Sequence, residues 1–167
     1  MEHRLPAGTP GEADGVPLPW GRLHFEQIAA ALTADGLVAE QDRERMRFSA
    51  QGARNASEVH PLVLLSNLKL AATGGGELTL ERLTEWLAQR TGSRYLRIDP
   101  TRVDVAAVTA LVSHAYARRH RFLPLAVDAE RVLVATSEPL VQEWRRDLQH
   151  LTCLLYTSDA ADEEDSV

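Results

Sequence analysis

The stretch "RFLPLAVDAERVLVATSEPL", residues 121–140, constrains the fold more than any other. Two apolar, β-prone runs, "FLPLAV" and "RVLVAT", are separated by three residues, "DAE". That spacing predicts an antiparallel hairpin. Pro124 cannot donate a ladder hydrogen bond, so its strand is expected at a sheet edge or at a bulge. A pair of strands is marginal in water by itself, so it needs a helix or a further strand against one face. The flanking sequence offers helices on both sides. Before the hairpin, Asp104 is placed to cap a helix whose apolar positions are Val105, Val108, Leu111, Val112 and Ala115. After it, Ser137 is expected to cap a last helix with Pro139 in its first turn and Leu140, Val141, Trp144, Leu148 and Leu151 on one face. Upstream, "YLRID" at 95–99 reads as a short strand closed by Pro100. The expectation is a small β-α-β-β-α unit.

The region before this unit reads as helical. Phe25, Ile28, Ala29 and Leu32 keep helical spacing and Gly36 is a stop signal. "AEQDRERMRFSAQG" predicts a charged surface helix with a thin apolar face at Met46 and Ala50. Pro61 suits a first helical position, because its missing N–H costs nothing there. Leu64, Leu65 and Leu68 follow as its stripe. Thr79 is a good N-cap for a helix carrying Leu80, Leu83 and Leu87, with Gly92 beyond its end. The fold class is therefore α+β: a helical N-terminal region followed by the small β-α-β-β-α domain. The expected division is a disordered leader over 1–22, a helical region over 23–77, the α+β domain over 78–152 and an acidic tail over 153–167. The leader holds four of the eight prolines and four of the ten glycines. Such a composition buries too little apolar surface to offset its ordering entropy.

Charge and composition exclude several function classes. Five of the 24 acids lie in the last fifteen residues with no base among them. The rest of the chain carries 18 bases against 19 acids, close to neutrality. That balance, with 5% aromatic residues, argues against a nucleic-acid partner. The one cysteine, Cys153, lies in the tail, so the remaining sequence holds no disulfide and no cysteine metal site. No window holds the 18 apolar residues of a membrane span. No Gly-Lys pair exists, so no phosphate-binding P-loop can be built, and "ATGGGE" at 72–77 follows a helix rather than a strand. The six histidines lack the spacing of a helical zinc site. No catalytic, cofactor or metal residue is expected. "ARRHR" at 117–121 is the densest basic run. Arg118 and Arg119 there fit the last turn of a helix, where cations complement the dipole.

The ordered set Asp99-Pro100, Ala117 to His120, Leu123 to Leu125, Val132 to Val134 and Pro139 resembles the N-terminal domain of the GspE/PulE family, the bacterial traffic ATPases of type II secretion and type IV pilus assembly. The resemblance covers about residues 78–152. It implies a non-catalytic docking module at the cytoplasmic side of the inner membrane, bound to the cytoplasmic part of a membrane platform protein. Candidate contacts are Arg118, Arg119, Phe122, Pro124, Trp144 and Arg145, on the hairpin edge, the basic run and the final helix. ATP and Mg are expected only in a C-terminal ATPase core outside this sequence, itself a partner of the module, with a homo-hexameric parent. The tail "CLLYTSDAADE" resembles a translated sequencing adapter, which implies that the natural chain continues beyond about Thr152. Some relatives bind cyclic di-GMP through an Arg-Leu-Gly motif followed by spaced leucines. Aligned on Gly36, this sequence has Gln27, Ile28 and Ala29 in place of Arg-Leu-Gly and Arg43 and Arg47 in place of leucines. A cyclic di-GMP-binding regulatory domain is the alternative reading.

Overall fold

The computed structural model describes residues 16–53, 59–129, 131–152 and 155–157. Residues 1–15 of the expected leader, and 153–154 and 158–167 of the tail, lie outside them. The architecture is mixed α and β. The chain divides into two units. One comprises Met1–Leu18 and His24–Gly92, the other Pro19–Leu23 and Ser93–Val167.

The first unit is helical. Helix α1 (Phe25–Ala34) buries Phe25, Ile28, Ala31 and Leu32. It ends where Gly36 turns to φ +68° and Leu37 N–H donates back to Leu32 O, the closure that favours glycine. Helix α2 (Glu40–Ala53) turns inward Met46 and the acid Asp42. Pro61 opens α3 (Pro61–Asn67), capped by the His60 side chain, which accepts from Leu62 N–H. Leu62 and Leu65 are its buried leucines, while Leu64 and Leu68 are half-buried. Thr79 caps α4 (Leu80–Arg90), accepting from Arg82 N–H. Leu83, Trp86 and Leu87 are buried, whereas Leu80 remains 43% exposed. The Trp86 indole N–H donates to Asp35 at 2.7 Å. The glycines at 74–76 form a turn rather than a loose connector: Ala71 and Glu77 bridge across it, and Gly75 and Gly76 hold the positive φ it requires.

The second unit is built on the expected hairpin. Strands β1 (Phe122–Val127) and β2 (Arg131–Thr136) pair antiparallel from Phe122↔Thr136 to Val127↔Val132. The register shifts between Pro124 and Ala126, and β1 forms an edge of the sheet. The bulge puts Pro124 and Leu125 inside together, and it is the device by which an edge strand tolerates a proline. Helix α7 (Glu143–Thr152) follows, and β3 (Leu155–Thr157) pairs parallel with β2. This strand lies in the stretch read from sequence as tail. Phe122, Val132, Val134, Val141, Trp144, Leu148 and Ala117 make one apolar cluster.

Three local expectations give way. Residues 95–99 form no strand. The long helix before the hairpin is two: α5 (Val105–Leu111) and α6 (His114–His120), separated by extended Val112. Ser113 takes the Tyr116 N–H with its side chain and starts a new helix, the competition with the backbone that serine offers. The last helix begins at Glu143, not at Ser137, because the backbone there is committed elsewhere. Glu138 N–H donates to Thr136 Oγ1, and Glu138 O receives Val141 N–H in a turn.

Candidate docking surface

Helix α6 and the start of β1 gather most of the candidate contacts. Arg118 and Arg119 lie in the last turn of α6 and are exposed. The helix ends at Arg121, whose φ of 54° is left-handed. That conformation is unfavourable for a residue with a Cβ and needs support from its surroundings. Its surroundings supply that support. Arg121 O accepts from Ser137 N–H and from Thr136 Oγ1, and the guanidinium Nη1 lies 3.0 Å from Glu138 Oε1. The sharp turn sends the chain straight into β1.

Phe122, Pro124 and Trp144 are interior. Trp144 has no exposed surface and stacks on Phe122, with centroids 4.8 Å apart and planes at 19°. Tyr116 meets Phe122 edge-on at 5.9 Å and packs on His120 at 4.4 Å. These three candidates therefore shape the surface from beneath and do not line it. Arg145 is half-buried, with its guanidinium carbon 5.6 Å from the Trp144 ring centre. Arg118 and Arg119 are the members of the set that face solvent. In the same unit, Leu123 is 40% exposed on β1, and Val105 is 64% exposed on α5, which packs on β1.

The electrostatics of this face are mixed. Tyr116 OH donates to the Asp147 carboxylate. Burial, then the hydrogen bond and charge of Asp147, push the phenol up to about 12, with Arg119 opposing. The phenol is therefore a fixed donor at neutral pH. The surface offers a cationic helix end and isolated apolar side chains. Among the described residues no group of three or more His, Cys, Asp or Glu is placed to hold a metal. No helix there is long and apolar enough to cross a membrane.

Sequence reasoning missed Glu138, the most deeply buried acid among the described residues, at 1% exposure. Its only signal was its position between a strand and Pro139. It also missed Arg22 and Leu23, which lie at the junction between the expected leader and the first helix. Arg22 Nη2 donates to Arg119 O at 2.8 Å, and Leu23 N–H donates to Glu138 Oε2 at 2.9 Å.

Residues 91–156, which take in the hairpin and the Phe122–Trp144 stack, match the MshEN domain. The similarity to the N-terminal domain of GspE-type ATPases is thereby shown. Over 122 residues, 71% of this chain, the sequence is 31% identical to the type IV pilus assembly ATPase TfpB of Acinetobacter baylyi. That alignment covers 20% of TfpB, so the chain spans about a fifth of the length of the curated relative it matches.

Proposed function

We propose that this chain is a non-catalytic docking and coupling module of a type IV pilus or type II secretion ATPase, bound to the cytoplasmic part of an inner-membrane platform protein. The observation that supports the reading is the MshEN match over residues 91–156, a stretch that includes the exposed Arg118 and Arg119. The exposed Arg118 and Arg119 of α6 and the exposed Leu123 of the edge strand supply cationic and apolar contacts for an acidic or amphipathic partner segment. The module works in the cytoplasm, peripheral to the inner membrane. ATP hydrolysis belongs to a core supplied elsewhere in a hexameric parent, in line with the lack of a Gly-Lys P-loop signature in the sequence.

The test is calorimetry of the full chain with three titrants. Saturable binding of the platform protein's cytoplasmic region, without binding or turnover of ATP, supports the reading. Tight binding of cyclic di-GMP with no platform binding would replace it by the regulatory reading.

A further inference from the structure

The segment Pro19–Leu23 groups with the second unit although about 70 residues of the first unit follow it in the chain. Its attachments are specific. Gly21 N–H donates to Leu140 O at 3.0 Å, Arg22 donates to Arg119 O, and Leu23 N–H donates to the buried Glu138 carboxylate. The Leu23 side chain is buried at 5% exposure, while Trp20 stands 59% exposed. Main-chain donors, one apolar anchor and a charged acceptor are features by which a folded domain captures a peptide segment, here one bent at Trp20–Arg22.

We infer that Glu138, Leu140 O and Arg119 O form a peptide-capture site in the second unit, that Pro19–Leu23 occupies it in cis as a latch, and that this latch opens without unfolding the hairpin. The physical ground for separable opening is a contrast in what each part buries. The latch holds five residues in place with three hydrogen bonds to the rest of the unit and one leucine. The hairpin is held by a continuous ladder and by the Phe122–Trp144 cluster. Segments with few buried apolar contacts open locally, well before the global transition. The Glu138 carboxylate keeps the Arg121 guanidinium as its partner when the latch leaves, so opening does not strand a buried charge. The match to the MshEN domain begins at residue 91, so the latch comes from outside the matched region.

Native-state hydrogen exchange on the full chain tests this. In the unaltered chain the Leu23 amide should be protected, yet exchange at least about tenfold faster than the β1 and β2 ladder amides. Gly21→Pro removes the donor to Leu140 and cannot adopt the φ of +119° found there. It should accelerate Leu23 exchange by about tenfold or more and leave the ladder amides unchanged. Glu138→Gln keeps an acceptor but loses its charge, and a smaller acceleration is expected. An unprotected Leu23 amide in the unaltered chain would overturn the site. Loss of ladder protection together with Leu23 in Gly21→Pro would overturn the separable latch, as would a Leu23 amide indifferent to that substitution.

Discussion

Each unit is organised around a buried acid that clasps distant backbone, and the two differ in reach. In the first, Asp42 accepts Ala71 N–H at 2.7 Å, 29 residues away, and pairs with Arg45 at 2.7 Å. In the second, Glu138 accepts Leu23 N–H across 115 residues and pairs with Arg121 at 3.0 Å. The local clasp joins neighbouring parts of one continuous chain. The remote one makes the second unit discontinuous in sequence. The same chemistry thus serves as internal bracing in one unit and as an attachment point in the other.

The comparison is broken most forcefully through the core of the second unit. Trp144→Ala should cost about 3–5 kcal/mol, as for removal of a fully enclosed aromatic. Exchange protection should be lost in β1, β2 and α7 while α1 and α4 keep theirs. Equal loss in both units would show that they do not unfold separately.

Next come two pH responses of opposite sign. The Tyr116 phenol, raised to about 12, keeps its proton in the folded state after the unfolded chain releases its own near 10. Its contribution is complete below about pH 10 and is lost as pH rises toward 12. Denaturant melts of the second unit should show that slope, and Tyr116→Phe should flatten it. Asp42 behaves in the reverse sense. The Ala71 N–H, then Arg45, hold its carboxyl below the usual range. Its contribution is present above the unfolded value near 4 and disappears as pH falls below that. Asp42→Asn should remove this acid sensitivity from the first unit alone.

Smaller still are the caps. Thr79→Ala in one unit and Asp104→Ala in the other should each cost about 1 kcal/mol, read from denaturation midpoints. At the foot of the scale, Arg118→Ser with Arg119→Ser should move stability by no more than about 0.5 kcal/mol.

These contrasts also explain which parts of the molecule the sequence made legible. The hairpin was readable because its strands, its turn and its partners lie within twenty residues. Pro124 even announced the bulge and the edge. The helix starts at Thr79, Asp104 and Pro61 were readable for the same reason. The split between α5 and α6 was hidden because the apolar period runs across it, and Ser113 decides the break by a hydrogen bond only three residues long. The stretch 95–99, expected as a strand closed by Pro100, has Leu96 and Ile98 at alternate positions, and these side chains are 47% and 40% exposed. Alternation alone does not make a strand. The latch was hidden because Pro and Gly suggest disorder, and its acceptors lie more than 90 residues downstream. Within the candidate contacts, chemistry alone could not separate Arg118 and Arg119, which face solvent, from Phe122 and Trp144, which face each other.

The central claim is that the module binds a platform and carries no reaction. Its most direct test is titration of the full chain, unaltered and as Arg118→Glu with Arg119→Glu, against the cytoplasmic region of the pilus or secretion platform protein. The account predicts saturable binding by the unaltered chain and at least about tenfold weaker binding after charge reversal, with folding intact. Equal affinity in both, or no binding by the unaltered chain, would contradict it.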